Sequence, residues 1–469
     1  MIYENIEILD AGAEGMAVGR IGEKIVFVPY VVPGDIVDIQ IVRKKKRYFE
    51  GRAVAIRRYS DKRVEPHCRH FGLCGGCRWQ GMKYEDQLFY KQKQVVDSLT
   101  RIGKLTDPLV HPILPSASTQ YYRNKLDFTF SVHRWLTDED RMAGPGGADT
   151  RAVGFHVPQF FDKVVDIREC FHMKDPANDL RNEARRYAIE HGLDFYDVRT
   201  WEGFLRNLII RNTETGEWMV ILVVRHESDE LFPMLDHLAE VFPAITSLYY
   251  VINPKKNDSL YDIDFHLYKG KPYITERMPP FVPGGKEIEF RIGPLSFFQT
   301  NSKQAMNLYR IAAGQAGFSG SETVYDLYTG TGTIACYIAP HVGRVIGIES
   351  VPAAVEDART NSMINGLGNT LFFSGEAEKI LTQEFITENG HPDILITDPP
   401  RIGMHEKVVK TILEAAPRRI IYVSCNPATQ ARDIEWLGES YRMESSHPVD
   451  MFPHTHHVEN IATLTRRDP

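Results

Sequence analysis

At 469 residues the chain is too long for one ordinary hydrophobic core, so two or three domains are expected. With 43% hydrophobic and 25% charged residues it has the composition of a soluble globular protein, and no apolar stretch approaches the roughly 20 residues needed to cross a bilayer, so no membrane partner is expected. A net charge of −7 does not exclude nucleic acid, because the charge is unevenly spread, and the acidic opening MIYENIEILD lacks the order of a signal peptide, which makes the cytoplasm the expected location.

Taken in chain order, Ile6 to Tyr59 reads as short strands cut by glycine and proline. KIVFVPY and DIVDIQIV run apolar or alternate at strand length, and Gly34-Asp35 is a turn signal. A small five-strand, OB-like β-barrel of the kind that binds oligonucleotides is expected over residues 1–60. From Val42 to Arg63 the chain holds ten Lys or Arg against Glu50 and Asp61. Such a run is as readily a solvated strand face as a polyanion footprint, and its interleaving with Tyr48, Phe49 and Tyr59 favours RNA.

Cys68, Cys74 and Cys77 crowd together, while Cys170, Cys336 and Cys425 stand apart. In a cytosolic chain this crowding points to metal or redox chemistry rather than disulfides. Five residues separate Cys68 from Cys74 and two separate Cys74 from Cys77; with Cys170 as a distant fourth thiolate, the count suits a 4Fe-4S cluster or zinc equally. Cys336, in a helix, is simplest as core. Apolar residues then recur at helical spacing until Gly103 stops them, and this helix, from about Tyr84 to Leu105, is free to pack on another domain. Strands follow at YYRNKLDFTFSV, AVGFHV, LRNLIIRN, EWMVILVVR and SLYYVINP, with a polar Gly/Pro loop at DEDRMAGPGGADT. Residues 61–290 thus read as a β-rich central domain that carries the cysteine cluster.

After about Gly293 the rhythm becomes strand, glycine turn, helix, strand, which demands a mostly parallel sheet with helices on both faces. A doubly wound α/β, Rossmann-like domain is expected over 291–469. Ligands of such sheets bind beyond the carboxyl ends of the strands. DLYTGTG lies at one such end, and Glu349 ends the next strand about twenty residues on, where it can accept hydrogen bonds from ribose hydroxyls. Together they indicate a nucleoside-bearing cofactor. TDPPR at the end of a later strand suits a methyltransferase that holds a base beside S-adenosylmethionine, and Arg401 supplies a hydrogen-bond fork where adenine methylases place an aromatic.

IIYVSCNPATQARDI sets Cys425 where a run of β-formers stops and the backbone turns, a position that presents the thiol to a cleft. A pyrimidine's carbon-5 is a poor nucleophile until a thiolate adds to carbon-6, so methylation there needs a cysteine, a hydrogen-bonding group near the ring and a base for the carbon-5 proton. HTHHVENIATL places Glu459 at the start of the last strand as that base. With no carboxylate or cysteine at ligand spacing, His454, His456 and His457 read as loop residues.

The segments FFQTNSKQAMNLY, DLYTGTGTIA, TDPPRIGM, YVSCNPATQARD and FPHTHHVE resemble the successive motifs of the RNA 5-methyluridine methyltransferases, the RumA/TrmA family. The barrel resembles a TRAM domain, and CRHFGLCGGCRWQGMKYEDQLFYKQ resembles the iron-sulfur segment of the RumA branch. The likeness spans nearly the whole chain; SCNPAT in order with DPPR and HHVE is specific, and the glycine loop alone is not. The resemblance implies Cys425 as nucleophile and Glu459 as proton-abstracting base. It sets Gln299, Tyr328, Thr333, Glu349 and Asp398 on cofactor-binding positions, with Thr333 standing where many relatives have asparagine, and makes Glu376 of SGEAEK the candidate near the adenine. Arg123 in YYRNKL resembles a basic residue that meets the RNA or the target base, and Phe297 and Arg401 are further substrate-facing candidates. It favours iron over zinc for Cys68, Cys74, Cys77 and Cys170, as a 4Fe-4S cluster bracing the RNA-binding region.

The expected activity is therefore S-adenosylmethionine-dependent methylation of RNA uracil at carbon-5, through a covalent Cys425 adduct. Cluster-bearing relatives favour 23S ribosomal RNA over transfer RNA as the target. Cytosine-5-methyltransferases carry a cysteine in or beside Asp-Pro-Pro, which TDPPRIG lacks. A catalytically silent RNA-binding iron-sulfur protein would have no use for Cys425, Glu459, Asp398 and the cofactor loop together. Nothing in the pattern calls for an obligate protein partner, and a monomer is expected.

Overall fold

The computed structural model describes residues 1–137, 140, 142 and 149–467, so most of the expected DEDRMAGPGGADT loop lies outside the described residues. The chain opens with a closed five-stranded barrel ordered Ile2–Ala11, Ala17–Ile21, Lys24–Val28, Tyr48–Arg58, Ile36–Lys44. Its inward residues Ile8, Val26, Val37, Ile39 and Phe49 form one small core, each fully buried side chain stabilising by about 1.5–3 kcal/mol. Gly51 lets two barrel strands close up, since a Cβ there would sit 2.4 Å from Ile39 Cγ2.

A seven-stranded, mostly antiparallel sheet follows, ordered Phe265–Gly270, Ile245–Ile252, Trp218–Val224, Leu205–Asn212, Lys125–Ser131, Ala152–His156, Val164–Asp166. LRNLIIRN and WMVILVV are buried at every position because both faces of this sheet are covered. Leu208, Ile210, Val220 and Leu222 pack under the helices Ala177–Glu190 and Leu231–Val241. Their alternates Ile209, Met219, Ile221 and Val223 share a core with Ile396, Ile421 and Ile461 of the C-terminal sheet. The two-residue period of a strand thus joins the central sheet to the C-terminal sheet.

The C-terminal sheet is ordered Thr370–Ser374, Arg344–Glu349, Thr323–Leu327, Ile394–Thr397, Arg419–Ser424, Glu459–Arg466, Tyr441–Val449. The first five are parallel, and the last strand of the chain inserts antiparallel between its two neighbours. The helix expected near 84–105 spans Tyr84–Arg101, and its Val95 and Leu99 are buried with Tyr325, Ile346 and Ala431, so it packs on this sheet. Among the described residues no helix is long and apolar enough to cross a membrane.

Candidate active site

Two groups of side chains gather at the carboxyl ends of the parallel strands. The first surrounds the glycine loop. Thr323–Leu327 runs into Tyr328, whose φ of 63° turns the chain, and the Tyr328 and Thr329 amides both donate to the Ile348 carbonyl at 2.9 and 3.1 Å. That draws the turn against Glu349, whose two carboxylate oxygens accept from Gly330 N at 3.1 Å and Val351 N at 2.9 Å. Thr333 opens the helix Thr333–Ile338, with its Oγ1 3.4 Å from Thr331 Oγ1. Gln299 is buried, with its carbonyl accepting from Asn124 Nδ2 at 2.9 Å, while the Phe297 carbonyl accepts from Thr331 Oγ1 at 3.2 Å and its ring stands 65% exposed. Phe297, Tyr328, Thr333 and Glu349 thus meet at one loop system, and Gln299 follows two residues after Phe297. Glu376 follows Gly375, whose amide donates to the Glu349 carbonyl at 2.8 Å; its exposed carboxylate pairs with Lys379 at 2.5 Å, and Glu378 is the acidic neighbour that helps raise the Tyr328 hydroxyl pKa after burial.

The second group is Asp398, Arg401, Cys425 and Glu459. Cys425 follows the strand Arg419–Ser424, and the antiparallel register pairs Ser424 with Asn460, so one residue further Cys425 faces Glu459. Burial, then the charges of Glu459 and Asp398, push the Cys425 thiol up to about 11, with the Arg401 guanidinium opposing them. Burial and Asp398 raise Glu459 to about 8, again against Arg401. Burial and Asp326 raise Asp398 to about 7. A half-buried thiol therefore lies beside a carboxyl group that exchanges its proton near neutrality, with one cation to compensate charge. Such a set suits nucleophilic addition followed by proton abstraction.

The loop after Asp398 is clamped by the helix after Cys425. Pro427 stands in the first turn of Pro427–Leu437 and Asn426 caps it, its Oδ1 accepting from Ala428 N at 3.1 Å. The same Asn426 donates Nδ2 to the Arg401 carbonyl at 2.9 Å, and Thr429 Oγ1 donates to that carbonyl at 3.2 Å. Buried Asp433 accepts from Met404 N at 2.7 Å and from the Tyr422 hydroxyl at 2.6 Å. At Gly403 the φ of 79° lies in the left-handed region, and a Cβ would meet the buried Asp433 Oδ2 at 2.7 Å, so the turn favours glycine.

The profile described as tRNA (Uracil-5-)-methyltransferase matches residues 266–467, and that of the TRAM domain matches 3–54. A Bacteroides thetaiotaomicron protein named an uncharacterized RNA methyltransferase is 52% identical over 97% of this chain and all of its own length. A Porphyromonas gingivalis protein of the same description is 51% identical over 98% of this chain and 99% of itself. The chain belongs to the RNA uracil-5-methyltransferase family. The Pyrococcus abyssi tRNA (uracil-54, C5)-methyltransferase, solved with S-adenosyl-L-homocysteine, superposes with a TM-score of 0.73 at 29% identity, covering 99% of this chain and 100% of its own. The methyltransferase thus has the S-adenosylmethionine-dependent fold with an N-terminal TRAM barrel.

In this methyltransferase Cys68, Cys74, Cys77 and Cys170 all line one cavity of about 380 Å³, with His67, His172, His454 and Arg123. Burial, then neighbouring thiols, raise Cys77 and Cys170. Among the described residues, no three His, Cys, Asp or Glu side chains converge closely enough to hold a single metal ion. Arg123 lines this cavity, with its guanidinium 5.3 Å from the Phe452 ring centroid. His457 reaches Arg401 at 3.4 Å, and burial lowers it to about 3.

Sequence reasoning missed the residues that fix the loop before Glu459. Lys91 and Asp450 form a fully buried ion pair at 2.5 Å, and Tyr84 donates to the other Asp450 oxygen at 2.7 Å. Gln87 accepts from His454 N at 2.9 Å, and the amides of Arg78 and Trp79 both donate to the His454 carbonyl at 3.0 Å. Gln87 and Lys91 stand at spacings of four in line with Val95 and Leu99, so polar side chains on an apolar helical stripe are the signal available in the sequence, while their partners across the chain are not.

Proposed function

We propose that this methyltransferase makes 5-methyluridine in RNA, with Cys425 as nucleophile and Glu459 as base. The reading is carried by the register that sets Cys425 opposite Glu459, within reach of the charges of Asp398 and Arg401. Gln299, Tyr328, Thr333, Glu349 and Asp398 would hold S-adenosylmethionine, which supplies an electrophilic methyl group. Glu376 is the candidate near the adenine, and Glu378, whose charge adds to burial in raising the Tyr328 hydroxyl pKa, is the alternative on the short helix that begins after it.

Cys425 Sγ, as thiolate, bonds to uracil carbon-6 and pushes the electron pair of the C5=C6 bond toward the carbon-4 oxygen as an enolate, whose oxygen can accept a hydrogen bond from the Arg401 guanidinium. Carbon-5 then takes the methyl group, and Glu459 removes the carbon-5 proton. The electron pair of that C–H bond re-forms the ring double bond and expels the thiolate. Incubation of Glu459→Gln with RNA and S-adenosylmethionine should build a slow RNA–protein band on denaturing gels, absent in Cys425→Ser; a Cys425→Ser enzyme with full turnover overturns the scheme.

The four thiols line one cavity and would hold a 4Fe-4S cluster, the family resemblance favouring iron over zinc. The cluster would brace the cysteine segment against the loop at His454. Iron and acid-labile sulfide in equal amounts, both lost in Cys170→Ala, are expected; zinc without sulfide overturns this assignment. The same reading takes 23S ribosomal RNA as target and a cytoplasmic monomer as the working form. A transfer RNA target is the second reading, favoured by the tRNA enzyme at 29% identity over the whole chain. Nucleoside mapping of 5-methyluridine in ribosomal and transfer RNA from cells lacking the protein decides between them.

A further inference from the structure

Three buried polar atoms without a partner, the Tyr196 hydroxyl, Arg206 Nε and His156 Nδ1, belong to residues lining one cavity of about 630 Å³ in the central domain. Buried polar atoms are nearly always hydrogen-bonded in native proteins, so three on one wall call for a ligand or water that meets them. Tyr196 and Arg206 are 5% and 1% exposed, with the guanidinium 4.3 Å from the Tyr196 ring centroid.

The rim is aromatic. Phe160 and Phe161 stand 46% and 70% exposed on the loop between Ala152–His156 and Val164–Asp166, and Gln159 beside them has a φ of 70°. Phe160 lies 5.4 Å from Trp135, while Phe161 has no aromatic neighbour among the described residues. The two acids of the cavity are already neutralised: Asp162 accepts from Arg199 Nε at 2.8 Å, and Asp258 pairs with Arg206 at 2.9 Å. Arg206 also donates to the Asn253 and Asn257 carbonyls, both at 2.8 Å, which folds that segment onto the wall. The exposed Lys256 it carries lies 3.5 Å from the ring centroid of Trp201.

A flat ligand with apolar faces, donors and acceptors at its edge and a phosphate tether matches this surface. The cavity is of small-ligand size, and aromatic platforms with basic neighbours are how single-stranded nucleic acid is held. We propose that this cavity binds an unstacked base of the RNA substrate, at a site separate from the cleft at Cys425. None of the residues around Cys425 lines it, and it adjoins the cysteine cavity through His156, which borders both. RNA held here runs past the cysteine loop, where Gly75 lies against the His156 carbonyl. The inference rests on the reading of this enzyme as one that acts on RNA.

The test uses the full chain and a fluorescein-labelled single-stranded RNA 20-mer of mixed sequence carrying 5-iodouridine. Photocross-linking should map to residues 157–162. Phe161→Ala should weaken binding roughly tenfold with an unchanged salt slope, and Lys256→Ala should lower that slope by about one. S-adenosylhomocysteine binding should be unaffected in both variants. Cross-links elsewhere, with Phe161→Ala binding as tightly as wild type, overturn the site. Methylation of ribosomal and transfer RNA from cells lacking the protein is assayed in parallel: a wild type that cross-links at 157–162 but forms 5-methyluridine in neither RNA sinks the activity proposed above and leaves this site standing, whereas a methylating wild type matched by Phe161→Ala in affinity sinks this site alone.

Discussion

Gln430 and Asn460 hold each other reciprocally: Asn460 Nδ2 donates to Gln430 Oε1 at 2.7 Å, and Gln430 Nε2 donates to the Asn460 carbonyl at 3.1 Å. Both are fully buried, Gln430 on the helix after Cys425 and Asn460 one residue beyond Glu459. Gln430 also donates to the Tyr422 carbonyl at 2.8 Å, and Ser446 Oγ donates to Asn460 Oδ1 at 2.7 Å. The amide pair thus fixes the thiol-bearing turn to the carboxylate-bearing strand.

Gln430→Leu leaves the Asn460 amide buried without its partner, a loss of about 1–3 kcal/mol. Urea unfolding should show that loss, and methyl transfer to RNA should slow while S-adenosylmethionine affinity stays at the wild-type level. A variant that is destabilised yet methylates at the full rate would show that the pair serves stability alone.

The charges around Cys425 are readable by alkylation. Iodoacetamide reacts with thiolate, and the peptide containing Cys425 reports its rate by mass spectrometry. With burial and two carboxylates holding the thiol up to about 11, the rate should still be climbing above pH 9. Glu459→Gln removes one of the charges that raise it, so its profile should move to lower pH, and Arg401→Gln, which removes the opposing cation, should move it to higher pH. Profiles that shift the other way would place Glu459 and Arg401 away from the thiol.

The buried carboxyls also set a pH dependence of stability. Glu459 at about 8 and Asp398 at about 7 lie above their unfolded values near 4, so the folded state prefers the protonated forms. Their contribution is fully present below about pH 4 and is lost as pH rises through 7 to 8. Because the two interact, the steps belong to the pair. Asp398→Asn removes one of them and relieves Glu459, so the fall in thermal midpoint from pH 6 to pH 9 should be smaller than in wild type. An equal or larger fall would contradict the coupling.

Several of these features are legible in the sequence and others are not, for physical reasons. The position of Cys425 follows from local chemistry: β-formers from Arg419 to Ser424, then an N-cap asparagine and Pro427. The parallel order of the strands follows from their alternation with helices. The antiparallel insertion of Glu459–Arg466 does not, because tertiary packing selects which neighbours a final strand enters. Glu376 and Glu378 are indistinguishable by pattern, since the choice depends on where a four-residue helix, Ala377–Ile380, begins. The helix expected to reach Leu105 ends at Arg101, where the Ile102 amide still bonds Ser98 but Lys104 turns to a φ of 54°. Lys91 and Asp450 lie 359 residues apart, beyond any local rule.

That last pair carries the final prediction. Lys91 donates to Asp450 and to the Phe452 carbonyl at 3.0 Å, and burial lowers its pKa while Asp450 raises it. Lys91→Met strands a buried carboxylate and should cost about 3–5 kcal/mol. The double change Lys91→Met with Asp450→Leu removes both charges and should recover most of that stability. If the ion pair positions the loop that leads into Glu459, the recovered double variant should still pass the methyl group to RNA yet release product slowly, leaving a covalent RNA–protein band. Restored stability with wild-type turnover and no such band would confine the pair to holding the helix Tyr84–Arg101 in place.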